Sequence, residues 1–217
     1  MRAPAESFFE FVGRPLAGWT RPVIALLVVP LLLSYFYPLW QIRMVAPQYP
    51  RGLYLDIYSY KLEAGGGGQH IQEINTLNHY IGMKPIDRQA LADLDWIPFA
   101  LGVLGLLALR AAAIGSVRDL IDVTVLTVYV SAAAFGRFVY VLYRYGHELD
   151  PKAPVRIEPF MPAVIGKKQI ANFTTWSLPQ PGSGLLAIFT GGLLALTLWH
   201  LWMGYRQARA ARAHAAS

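Results

Sequence analysis

Histidine and methionine are the side chains of this sequence best suited to chemistry, and they gather in two polar stretches. The string Asn78-His79-Tyr80-Ile81-Gly82-Met83-Lys84-Pro85 carries the sharpest pair. His79 and Met83 are four residues apart, a spacing that puts them on one face if the turn is helical. Imidazole with thioether suits copper, Cu(I) above all, because thioether sulfur is a soft ligand. His147 and Met161 complete the expected metal-ligand set, and Met44 and His70 are further candidates in the same stretches. The plainer reading is that polar residues collect wherever apolar blocks leave room, and that methionine plugs small apolar clusters. No spacing here is diagnostic in the way a pair of CxxC motifs is.

Other chemistries find less. The 217 residues include no cysteine, which removes disulfides, thiolate metal sites and cysteine nucleophiles. There is no GxSxG, no HExxH, no Rossmann fingerprint and no carboxylate pair in an apolar context, so a non-enzymatic protein is expected. Gly65–Gly68 lack the Lys-Ser/Thr that completes a phosphate loop. His147 with Glu148 and Asp150 reads as a solvated loop start before it reads as a metal or proton site. Asn172-Phe173-Thr174 matches a glycosylation sequon, which matters only in a eukaryotic secretory setting. Without CxxCH there is no covalent haem, and only His200 lies in an apolar block, so a bis-histidine haem has no second ligand.

The elements that must position these residues are set by hydrophobicity. The chain is 55% hydrophobic and 15% charged, against about a quarter charged in soluble domains. The apolar excess falls in four blocks, 23–40, 96–114, 120–143 and 185–202, each read as a transmembrane helix near the ~20 residues a bilayer core requires. Block 23–40 carries Pro30 and Pro38, and its Tyr35, Tyr37 and Trp40 resemble an interface belt. No small-residue cleavage site follows closely, which favours an uncleaved anchor over a signal peptide. Residues 1–22 read as an interfacial segment and 203–217 as a tail.

Gly115–Asp119 separate the second and third blocks, so these form a tight helical hairpin. The expected fold is thus an all-α membrane protein, four transmembrane helices with a small mixed, loop-rich extracytoplasmic cap built from 41–95 and 144–183. Arg2, Arg14, Arg21, Arg110, Arg118, Arg206, Arg209 and Arg212 crowd the side of the termini and the short turn. Positive-inside reasoning puts that side in the cytoplasm of a bacterial inner membrane and both long loops outside. The net charge of +6 belongs to this orientation and not to nucleic acid, since no basic patch interleaves with aromatics. His200 and Arg137 read as ionisable groups that snorkel to an interface. Asp119 and Asp122 sit at a helix N-terminus, where carboxylates are favoured. Ala132–Ala134, Gly136, Gly191 and Gly192 would let the third and fourth spans approach closely.

Within the cap, Leu53, Leu55 and Ile57 alternate with Tyr54, Asp56 and Tyr58, the pattern of a half-buried strand. Ile71–Tyr80 would pair back or start a short helix, and Arg88–Asp95 would form a short surface helix. Six prolines between 151 and 181 argue for an extended, irregular second loop packed against the first.

Ala46-Pro47-Gln48-Tyr49-Pro50, Asn78-His79-Tyr80-Ile81-Gly82-Met83-Lys84 and Tyr145-Gly146-His147-Glu148-Leu149-Asp150-Pro151-Lys152 together resemble a bacterial membrane protein family associated with the maturation of nitrous oxide reductase, a periplasmic copper enzyme. The resemblance covers the two outer loops. It implies an accessory role in periplasmic copper handling or copper-enzyme assembly, with a periplasmic copper protein or a membrane complex as partner beside the lipid bilayer. It supplies no ligand set. A structural subunit of a respiratory or oxidase complex with no metal of its own is the alternative expectation. A transporter is disfavoured because the spans lack a polar pathway.

Overall fold

A computed structural model of the chain describes residues 11–87, 93–170 and 172–216. Its helices are α1 (Thr20–Leu33), α2 (Gln69–Tyr80), α3 (Asp93–Ile114), α4 (Val117–His147) and α5 (Pro181–Ala216), and its strands β1 (Trp40–Ala46), β2 (Tyr49–Ile57), β3 (Leu62–Ala64), β4 (Gly166–Ile170) and β5 (Phe173–Pro179). The residues form two compact units. One comprises Met1–Leu32, Leu101–Val130 and Leu186–Ser217; the other comprises Leu33–Ala100 and Ser131–Leu185.

Two features overturn the all-α, four-span expectation. The first is a five-stranded antiparallel sheet in the order β3-β2-β1-β5-β4, which is a folded layer and not a loop-rich cap. The prolines that argue for an irregular second loop stop at Pro162 and resume at Pro179. The stretch between them is free of proline and supplies β4 and most of β5. The second is that only three helical segments, Asp95–Ile114, Val117–His147 and Pro181–Ala210, are long and apolar enough to cross a membrane. The apolar helix Thr20–Phe36 is shorter; its 17 residues reach about 25 Å at ~1.5 Å per residue, short of a ~30 Å core. Pro38 bars further helix, and Trp40, read as an interface anchor, instead opens β1.

In the sheet unit, β1 joins both long loops. Ile42 opposes Leu55 on one side and Ser177 on the other, and Met44 opposes Leu53 and Thr175. Alternation then puts Ile42, Met44, Leu53, Leu55, Phe173 and Thr175 on one face. Arg43, Tyr54 and Trp176 share the other face, where Lys167 lies 5.3 Å from the Trp176 ring. Helix α2 packs Ile71, Ile74, Leu77 and the following Ile81 into the same core, the spacing of an amphipathic helix. Leu53, Leu55 and Ile74 are each 2% exposed or less, and burying each is worth about 1.5–3 kcal/mol.

The tetraglycine has a steric reason. Gly66, Gly67 and Gly68 all have positive φ, and a Cβ on Gly65 or Gly66 would strike the His70 ring at 2.5 or 2.8 Å. His70 is held there by the Tyr54 N–H, which donates to Nδ1 at 3.2 Å, and by an edge contact with the Tyr54 ring.

In the helical unit, Ile24, Val28 and Leu31 of α1, Leu104 and Ala108 of α3, Leu120 and Val123 of α4, and Phe189 and Leu193 of α5 are buried. Ser116 caps α4, its Oγ accepting from the Asp119 N–H at 3.1 Å, and Arg110 pairs with Asp119 at 3.0 Å. Residues 14–17 lie across the α3–α4 turn: the Leu16 N–H donates to the Gly115 carbonyl at 2.6 Å and the Val117 N–H to the Arg14 carbonyl at 3.0 Å. His200 does not snorkel. It is 6% exposed, with Nδ1 2.9 Å from the Leu196 carbonyl and Nε2 accepting from the Ala17 N–H at 3.4 Å. The small-residue reading also shifts: Gly192 fits against Leu27 of α1, while Gly136 and Gly191 have open space beside them. Residues 1–10, the first part of the expected interfacial segment, and 88–92, most of the expected short surface helix, lie outside the described residues.

Candidate functional site

The inner sheet face does not close on itself. Between it and α4 lies a half-enclosed chamber of about 140 Å³. The sheet contributes Ile42, Met44, Leu55, Ile57, Ile170, Phe173 and Thr175; α4 contributes Ala134, Phe138, Val141, Leu142 and Tyr145; and Ile97 comes from α3. Asn78, Met83 and Ile86 complete one wall, and Pro162 and Ala163 another. The Tyr145 hydroxyl donates to the Pro85 carbonyl at 3.0 Å and is therefore occupied. The Thr175 hydroxyl is not: the residue is 7% exposed and its Oγ1 has no hydrogen-bond partner.

One rim of the unit is built from three chain segments tied by main-chain hydrogen bonds. The Asp150 N–H donates to the Gly82 carbonyl at 2.8 Å, the Val155 N–H to the Tyr80 carbonyl at 3.1 Å, and the Phe160 N–H to the Gly146 carbonyl at 2.9 Å. Glu148 fixes the junction electrostatically. Arg144 engages it with two hydrogen bonds, at 2.6 and 2.9 Å, and Lys84 forms a salt bridge from the facing segment. The Arg144 and Lys84 hydrogen bonds hold the Glu148 carboxyl down at about 2. Lys168 of β4 donates to the Met161 carbonyl at 2.5 Å, which adds the sheet to the assembly.

The expected ligands fall in these three segments, although not as their spacing implied. Helix α2 ends at Tyr80, and Gly82 turns the chain with φ of 80°. His79 and Met83 therefore do not share a helical face. His79 is exposed in the last turn, whereas Met83 is half-buried, lines the chamber and packs on the core. His147 is the last residue of α4; its Nδ1 lies 2.9 Å from the Tyr143 carbonyl and its ring stacks on Tyr143 at 3.8 Å. Met161 is half-buried. Met44 belongs to the core, and His70 has Nδ1 committed to β2. Among the described residues no three His, Asp or Glu side chains gather as a metal site.

The chamber itself was not anticipated. Its signal was present as the apolar i, i+2 positions of β1 and β2, but recognising it required knowing that β5 pairs with β1 and that α4 lies over the same face. Compared with protein-family models, with curated proteins and with solved structures, the chain matches none of them.

Proposed function

We propose that this chain is a non-enzymatic accessory protein of a bacterial inner membrane that handles copper on the extracytoplasmic side. The observation that carries the reading is the junction of three segments, which brings the backbone bearing His79 and Met83 beside that bearing His147 and Met161. The donor chemistry fits. With no cluster of carboxylates and imidazoles among the described residues, a metal here draws on thioether sulfur together with imidazole, a set suited to Cu(I). The Tyr143 carbonyl beside His147 Nδ1 favours the tautomer whose Nε2 lone pair is free, the usual way a ligating histidine is oriented. His79, Met83, His147 and Met161 would hold the ion, and a periplasmic copper protein or a membrane complex would receive it.

The membrane setting is part of the proposal. If α3 and α4 both cross, their hairpin returns the chain to the side it left, which accounts for β1–β3 and β4–β5 sharing one sheet. Arg118, beside the turn between α3 and α4, and Arg206 and Arg209, late in α5, fall at the ends that positive-inside bias makes cytoplasmic.

The test is Cu(I) competition with a chromogenic chelator on the detergent-purified chain. One ion should bind per chain, weakened about tenfold or more by His79→Ala and by Met83→Ala. Binding equal in wild type and the double variant overturns the reading. It would favour instead a metal-free docking subunit, for which Tyr80 and Ile165, 57% and 63% exposed on the sheet unit, supply apolar contact surface.

A further inference from the structure

We propose that the chamber beneath the sheet takes up one acyl chain of a membrane phospholipid. The inference rests on the reading that the long helices cross a bilayer, and it is independent of copper. Ile97 and Phe138 line the chamber and belong to segments apolar enough to span. Close by in sequence, Phe99 and Phe135 are 75% and 46% exposed, apolar surface that faces hydrocarbon when the helices are embedded. A chain leaving the bilayer core would then reach the chamber without crossing water.

Size selects a single chain. About 140 Å³ is close to the ~150 Å³ apolar cavity that holds benzene in another protein and well under the ~300 Å³ at which drug-sized sites begin. A segment of one alkyl chain fits; a fused-ring cofactor does not. Apart from Asn78, Tyr145 and Thr175 the lining is apolar, which suits a plain hydrocarbon segment.

The experiment uses the full chain in palmitoyl-oleoyl-phosphatidylcholine vesicles doped with phosphatidylcholine bearing a diazirine on one acyl chain. After irradiation and proteolysis, mass spectrometry maps the adducts. Adducts are expected on inner-face sheet residues such as Ile42, Leu55 and Phe173, beside those on the lipid-facing Phe99 and Leu106. Ala134→Phe, which fills the chamber, should abolish the sheet adducts and leave the helix adducts. Val141→Phe, which narrows the chamber from another position of α4, should likewise lower the sheet adducts and covers the case in which Ala134→Phe does not fold. Helix adducts without sheet adducts, or sheet adducts unchanged in both variants, overturn the proposal. Loss of helix adducts as well would mean that the membrane reading itself has failed.

Discussion

Gly146 and Phe160 meet backbone to backbone: the Phe160 N–H donates to the Gly146 carbonyl at 2.9 Å, and a Cβ on residue 146 would overlap the Phe160 carbonyl. This contact pins the proline-rich return segment to the last turn of α4. Gly146→Ala should therefore destabilise the chain by about 1–3 kcal/mol, since neither backbone can yield cheaply. Gly136→Ala, on the same helix with open space around it, should be neutral or stabilising by up to ~1 kcal/mol. Thermal unfolding of both variants in one detergent separates the two cases.

The Glu148 junction gives the sheet unit an acid limit. The folded carboxyl titrates at about 2 against an ordinary 4.5, because Arg144 and Lys84 both bind its ionised form. A depressed folded value means that the ionised group favours folding. Its contribution is complete above pH 4.5 and is lost as pH falls toward 2. Glu148→Gln should flatten the stability profile within that window and leave its shape above the window unchanged, as read from denaturation midpoints against pH.

Arg21 closes the C-terminus of α3. Its Nε donates to the Ala112 carbonyl at 2.8 Å and an Nη to the Ala113 carbonyl, two of the acceptors a helix end leaves open. Arg21→Ala should cost about 1 kcal/mol. Arg21→Lys should recover only part, because an ammonium cannot serve two carbonyls in a fixed fork. Unfolding midpoints of the three proteins decide this.

Thr124 and Thr197 share a hydrogen bond at 2.8 Å between α4 and α5. Thr197→Val removes it with little change of shape. Thr124 keeps the Leu120 carbonyl at 2.7 Å, so nothing is stranded, and the loss should be only about 0.6 kcal/mol if these helices sit in a bilayer. A loss several times larger in reconstituted protein would mean that the pair supports more than this single contact.

The long apolar helices were legible because an uninterrupted apolar run is a property of consecutive residues. The strand at 53–57 was legible from its alternation. The tetraglycine was recognised as something other than a phosphate loop, but its reason, the His70 ring held against Tyr54 of β2, depends on a contact that spacing does not show. The i, i+4 argument for His79 and Met83 failed at one residue. Spacing presumes that the helix continues, and Gly82 ends it.

Taken alone, the sequence determined the apolar helices, the hairpin between α3 and α4, the absence of cysteine chemistry and the stretches in which polar side chains would meet. Each of these depends on local composition. Tertiary structure decided the rest. It showed that α1 is too short and gives way to a strand, that β1 pairs with β5 across more than a hundred intervening residues, and that this pairing leaves a chamber with Thr175 unpaired. Those outcomes depend on which distant segments are neighbours, and no local periodicity encodes that.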